Sequence, residues 1–213
     1  MAVPTVSNYR PITDCWMLAR SKVSYYGAYP AGFLDRARAL LGVGIHDPVL
    51  HVCGGKVRDY PFRGFGPYDR TLDLSPACRP DFYHDAREPF PMPGDLPKRK
   101  RVPHTPGYWP AILADPPYTE DDADHYTPGA GKLPTARRIL INGLHAVATG
   151  GRVGILHYVA PRPPKEVHGS PIKFVACVTV FVGFENRPRL YSVYEKLSPV
   201  EAARSTGDED EEG

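Results

Sequence analysis

The sequence predicts an α/β domain: seven strands in a mostly parallel sheet that closes with an antiparallel hairpin. Three observations point there. Short apolar runs at residues 48–53, 71–74 and 109–114 end in glycine, acid or proline, as buried strands do where they turn into loops, and 152–158 reads as a further strand. Residues 33–41 and 133–149 carry apolar positions at helical spacing. Finally, residues 173–182 and 190–196 are rich in β-formers and only residues 183–189 separate them, too few for a helical crossover and suited to a hairpin.

Residues 1–23 show no clear periodicity and read as an N-terminal extension, with Cys15, Trp16, Met17 and Leu18 apolar enough to pack on the body. An aromatic, glycine-bearing loop, Tyr25-Tyr26-Gly27-Ala28-Tyr29-Pro30, leads into the helix at 33–41, which Gly42 stops. Pro30 stands where an opening helical turn tolerates proline. The strand at 48–53, ending in Val52-Cys53, runs into Gly54-Gly55, where backbone can approach a ligand closely. The next strand ends at Asp73, an acid placed either to accept ribose hydroxyls or to close a turn. Between these strands, residues 56–70 hold glycines, aromatics, Pro61 and Pro67, so the usual crossover helix is short or missing. A third strand is indicated at 81–86, where Asp85 followed by the small Ala86 suits an adenine amino group or a plain turn.

Lys98-Arg99-Lys100-Arg101, bracketed by Pro97 and Pro103, is a solvated loop, a run of nuclear-localisation type, or a phosphate contact. The fourth strand, 109–114, then ends in Asp115-Pro116-Pro117-Tyr118. Two successive prolines cannot donate to a ladder, so the carboxyl end of this strand becomes a rigid loop. Open α/β sheets carry their chemistry at that end. Residues 119–131, acidic and glycine-containing, read as a mobile loop over it; consecutive acids on a loop are usually solvated, and no metal is assigned. The helical stretch 133–149 has Gly150-Gly151 as its terminator. Beyond residue 197 the chain reads as a disordered acidic tail.

Composition narrows the setting. An apolar fraction of 42% in 213 residues suits one globular domain. Cys15, Cys53, Cys78 and Cys177 form no Cys-x-x-Cys pair, which speaks against a zinc site or disulfide framework and for a reducing compartment. No run has the length of a membrane span and no signal pattern opens the chain, so a cytoplasmic protein is expected, or a nuclear one where the host has a nucleus. The net charge of +2 hides an asymmetry: residues 198–213 hold six acids against Arg204, leaving about +7 on the body. A basic body suits a polyanionic partner.

The order of these features resembles the class I S-adenosylmethionine-dependent methyltransferases, a Rossmann-like fold, and specifically the branch that acts on exocyclic amino groups of nucleobases through an Asp-Pro-Pro-Tyr motif. The resemblance covers about residues 24–197. It implies that Asp115, Pro116, Pro117 and Tyr118 are catalytic. It further implies that S-adenosylmethionine is bound by Tyr26, Gly27, Tyr29, Pro30, Val52, Cys53, Gly54, Asp73, Asp85, Ala86 and Asp115. One departure stands out: His51-Val52-Cys53-Gly54-Gly55 occupies the place of the usual Asp/Glu-x-Gly-x-Gly pattern. The implied substrate is adenine N6 in DNA, with guanine N2 the next candidate, an adenine or guanine amino group of RNA as the alternative, and a non-catalytic nucleic-acid-binding module as a reading of a different class. No insertion is large enough for a separate recognition region, which implies weak sequence specificity, a partner that supplies recognition, or recognition by loops 56–70 and 97–108; a homodimer is a further possible assembly. Neutralising Lys98, Arg99, Lys100 and Arg101 is expected to weaken nucleic-acid binding and flatten its salt dependence; a plot of log affinity against log salt with unchanged slope refutes phosphate contact.

Overall fold

The computed structural model describes residues 10–23, 28–60, 63–98, 102, 107–126, 133–183 and 187–198. Three short elements open the sequence: β1 (Ile12–Leu18), α1 (Phe33–Leu41) and β2 (Val49–Val52). After them come β3 (Arg70–Asp73), β4 (Phe82–Tyr83), β5 (Trp109–Ala114), α2 (Glu120–Tyr126) and α3 (Ala136–Ala146). The remainder is β6 (Val147–His157), β7 (Glu166–Val167), β8 (Ser170–Val182) and β9 (Arg189–Lys196). The main sheet runs β1-β8-β9-β6-β5-β2-β3-β4, with β7 paired to β8. Every pair from β4 across to β6 is parallel, and β9 lies antiparallel between β6 and β8. The expected hairpin is therefore present, with its second strand inserted between the first and the rest of the sheet.

Both faces of this sheet are covered, which is why its central strands read as apolar runs. Along β5, Ala111 and Leu113 join α1 residues Phe33, Leu34, Ala37 and Leu41 in one core. Alternate residues Trp109, Ile112 and Ala114 face the other side, with Ile139, Leu140 and Leu144 of α3. Gly154 of β6 admits the ring of Tyr191 from β9, because a Cβ there would run into the phenol. The Tyr191 hydroxyl then donates to the Ala37 carbonyl at 3.3 Å, tying β9 to α1.

Four expectations are corrected. Residues 12–18 are not an extension but an edge strand, parallel to β8 from Ile12↔Ala176 to Leu18↔Val182. Trp16 and Leu18 are buried on the α1 side. Exposed Thr13, Asp14 and Cys15 on this edge erase the alternation by which strands are recognised. Residues 120–126, expected as a loop, are helical, and Thr119 begins the helix with reciprocal bonds. The Asp122 N–H donates to Oγ1 of Thr119 at 3.1 Å, and the Thr119 N–H donates to Asp122 at 3.2 Å. The second predicted helix ends at Ala146 rather than at Gly150-Gly151; those glycines lie in β6, where the register against β5 shifts between Trp109 and Ala111. The strand count rises from seven to nine with β1 and β7. By contrast the missing crossover is found as expected: among the described residues between β2 and β3 there is only the 3-10 turn Val57–Asp59.

A buried carboxylate does part of the work of that helix. Asp69 accepts from Arg38 Nη1 at 3.0 and 2.8 Å, from the Val49 N–H at 3.0 Å and from the Gly66 N–H at 2.7 Å. His51 Nε2 lies 3.0 Å away. Burial alone would push the Asp69 carboxyl up, but His51, the Arg38 guanidinium and the Gly66 N–H together hold it below the usual carboxylate range. With a folded pKa below the unfolded one, the stabilisation is complete above the unfolded value and disappears as pH falls through the folded one. Asp69→Ala is expected to cost about 3–5 kcal/mol in urea unfolding at pH 7, because Arg38 is left buried without its partner. The gap between wild type and variant should close below about pH 4; a gap independent of pH would show that the carboxylate charge is not what Arg38 and His51 require.

Candidate active site

The carboxyl ends of β2, β3, β4, β5 and β6 open at one edge of the sheet. Going along the sheet, connections run one way from β2 to β3 and β4 and the other way from β5 to β6, so the order reverses between β2 and β5. Ligands of open α/β sheets bind in the crevice at such a switch point. Here the Asp115 N–H donates to the Val52 carbonyl at 3.0 Å across that junction. Cys53-Gly54-Gly55 leaves one side of it and Asp115-Pro116-Pro117-Tyr118 the other.

On the β2 side, the Cys53 N–H continues the ladder to Leu72 at 2.9 Å. Cys53 itself has φ 55°, a left-handed conformation that favours glycine, and Gly55 has the same φ. A Cβ on Gly55 would meet nothing within 4 Å, so the backbone there faces open space. Asp73, at the end of β3, accepts the Gly55 N–H at 3.2 Å and the Ser75 N–H at 2.9 Å. Burial raises its carboxyl despite these bonds. Tyr29 stacks on Phe33 at 5.1 Å, and its N–H donates to the Tyr60 hydroxyl at 3.1 Å. It is fully buried, yet its hydroxyl has no hydrogen-bond partner among the described residues. Pro30 is buried beside it, and the Pro30 carbonyl accepts from Phe33 at 3.1 Å, turning the loop into α1.

These side chains converge. Burial pushes the Cys53 thiol up, and the carboxylates of Asp73, Asp115 and Asp85 add to the effect. Burial likewise raises Tyr29, with Asp115 the next cause. Other candidates stand differently. Val52 contributes its carbonyl, while its side chain belongs to the core on the α3 side, as does Ala86. Asp85 has both oxygens engaged by Arg87, at 2.5–3.0 Å. Its loop is pinned from α3 by Asn142, which donates to the carbonyls of Ala86 at 3.1 Å and Glu88 at 2.8 Å. Tyr26, Gly27, Arg99, Lys100 and Arg101 lie outside the described residues, and Lys98 is exposed.

Asp115 is the electrostatic centre. The Tyr118 hydroxyl donates to its Oδ1. Burial raises its carboxyl to about 6, with Asp122 adding, against the opposing pull of Arg189 and of the Tyr118 hydrogen bond. Around Tyr118 stand three residues that the sequence did not single out. Tyr158 lies 4.7 Å from its ring, His157 meets it edge-on at 5.3 Å, and Arg189 Cζ is 5.2 Å from its centre. His157 and Tyr158 are the last two residues of the strand read at 152–158 and could have been found at its carboxyl end. Nothing local in the sequence marks Arg189.

No protein-family model matches the sequence, and no curated protein matches it. Solved structures do resemble it. TrmN from Thermus thermophilus superposes with a TM-score of 0.52 at 18% identity, over 82% of this chain and 51% of that one. An rRNA methylase from Streptococcus thermophilus gives 0.43 at 12% identity, over 77% and 95%. A precorrin-6y C5,15-methyltransferase from Geobacter metallireducens gives 0.44 at 12%, over 84% and 94%. The chain spans about half the length of TrmN, and only that superposition is extensive enough to speak to architecture. With the strand order above, it establishes the mixed α/β, Rossmann-like methyltransferase fold.

Proposed function

We propose that the protein is an S-adenosylmethionine-dependent methyltransferase acting on an exocyclic amino group of a nucleobase, adenine N6 in DNA being the first substrate to test. The observation that carries this reading is Asp115: a carboxylate at the end of β5, followed by two prolines, at the switch point that the glycine turn, Asp73 and Tyr29 also border. The residues fit the cofactor. Gly55 leaves its backbone open to close approach, Asp73 lies beside it with a carboxylate that can accept hydroxyls as well as backbone N–H groups, and the Tyr29 hydroxyl is a buried polar atom awaiting a partner. Asp85 would accept an adenine amino group only if Arg87 yielded.

When bound, S-adenosylmethionine supplies a methyl group that is already electrophilic. The chain's own task is to position a weakly nucleophilic amine whose lone pair is delocalised into the base. Accepting the amine hydrogens on the Asp115 carboxylate and the Pro116 carbonyl favours a pyramidal nitrogen with its lone pair free for the methyl. Oδ1 of Asp115 takes the Tyr118 phenol, which leaves Oδ2 to the incoming amine. The proline pair holds both acceptors at fixed spacing. Aromatic residues at this edge offer stacking worth about 1–3 kcal/mol to a base flipped out of its helix. RNA is the second reading, supported by the same acceptor pair and by the short connections between strands, which provide no separate recognition domain among the described residues.

Asp115→Ala is expected to spare cofactor binding by calorimetry and to lower methyl transfer by about 10²-fold or more. The assay is tritiated-methyl transfer to DNA and to RNA, with nucleoside digestion and mass spectrometry naming the base. Wild-type protein that does not bind S-adenosylmethionine at millimolar concentration refutes the enzyme reading and leaves the binding-module one. The acceptor must be ionised, so kcat/KM should rise with pH through about 6 and level off above it. Tyr118→Phe removes a hydrogen bond that favours the ionised carboxyl, so its midpoint is expected to move upward; a downward shift would contradict the role of the phenol as donor.

A further inference from the structure

The parallel strands reach this edge with their carboxyl ends. β9 does not: running antiparallel to β6, with Leu190 paired to His157, it delivers its first residue, Arg189, to the same place. There the guanidinium lies over the ring of Tyr118, 5.2 Å from its centre. Tyr118 is held at its other end by the bond from its hydroxyl to Asp115 Oδ1 and on its ring by Tyr158 at 4.7 Å. We propose that Arg189 is a positioning residue for Asp115, holding the phenol on Oδ1 through the ring it covers and supplying the positive charge that a half-buried acceptor carboxylate needs.

The proposal rests on reading Asp115 as the amine acceptor. Groups facing Asp115 from each neighbouring element are Tyr118 on its own loop, Asp122 from α2, Tyr29 from the loop before α1, Cys53 from the end of β2, and Arg189 from β9. Arg189 is the one cation in this set. A planar guanidinium suits the place because it can lie along an aromatic face and keep its charge at any working pH. Its action on Asp115 opposes burial, in the direction that keeps the acceptor competent near neutrality.

The test compares wild type, Arg189→Met and Arg189→Lys in two measurements on the full chain: the ¹³C-carboxyl titration of Asp115 without nucleic acid, and the pH profile of kcat/KM for methyl transfer. Arg189→Met should raise both midpoints by about one pH unit, so that its rate relative to wild type falls about fivefold further at pH 6 than at pH 8. Arg189→Lys should hold both midpoints close to wild type, and S-adenosylhomocysteine should bind all three proteins alike. Midpoints unmoved in Arg189→Met, or moved equally by Lys, overturn the proposal. Should the Met variant not fold, Arg189→Gln is read on the same curves. If the carboxyl titration shifts as expected but the wild type methylates no nucleic acid, the reading of Asp115 as acceptor fails while the role of Arg189 as its counter-ion stands.

Discussion

The sheet depends on a carboxylate buried where a helix is missing. In a doubly covered parallel sheet the β2-to-β3 connection normally lays a helix on one face. Here residues 63–69 cross instead as irregular chain, and irregular backbone brings polar groups that burial leaves short of partners. Asp69 resolves this locally. It accepts two backbone N–H groups, from Gly66 in the crossing segment and Val49 in β2, and binds Arg38 from α1. Arg38 then donates to the carbonyls of Gly44 and Asp47, both at 2.6 Å, so the turn that feeds β2 is held by the same pair. A buried ion pair gives little net stability over an apolar replacement, but it is costly to break and fixes geometry closely.

That geometry is what the site inherits. β2 is only four residues long, and Asp69 reaches its first residue, Val49, and its third, His51. Its last residue, Val52, accepts the Asp115 N–H, and Cys53 begins the turn beside the crevice. α1 carries the same anchoring in the other direction: Arg38 fixes the helix, Phe33 at its start stacks on Tyr29, and Tyr29 projects toward Asp115 and Cys53. The N-terminal strand adds a second tether, since the Ala31 N–H donates to Ala19 at 3.0 Å, just beyond β1. Loop residues at this crevice are thus positioned by charges and strands outside it, on rigid elements, as precise sites require.

Most of the core, and the strand ends that border the candidate crevice, were legible because their signals are local. Two prolines after an apolar run end a strand whatever the fold, and Gly42 ends α1 in the left-handed conformation expected of it. The hairpin followed from the short distance between two β-rich runs. What escaped was set by distant parts of the chain. β1 is an edge strand with most of its residues exposed, so it lacks a pattern of its own until β8 is present. α2 did have its Thr119/Asp122 cap in the sequence, obscured by a run of acids that suits a solvated loop equally well. Those acids sit in the first turn of the helix, where the dipole favours them. Arg189 reaches the site only because β9 is antiparallel and inserted beside β6, a fact of topology with no trace in neighbouring residues.

The same insertion bears on a conflict inherent in this kind of site. A carboxylate that must hold an amine and exclude water is driven by burial toward its neutral form, and a neutral carboxyl is a poorer acceptor. The loops at the carboxyl ends of the parallel strands bring acids to that side, Asp73, Asp85 and Asp122, and Arg87 there is engaged by Asp85. An antiparallel strand among them reverses the direction of the chain and can present a side chain from its amino end. Arg189 is delivered in this way, against the ring of Tyr118, whose hydroxyl donates to Oδ1 of Asp115. On the proposed reading the closing hairpin does more than complete the sheet: it brings Arg189 to Tyr118 and, with it, a positive charge that acts on Asp115.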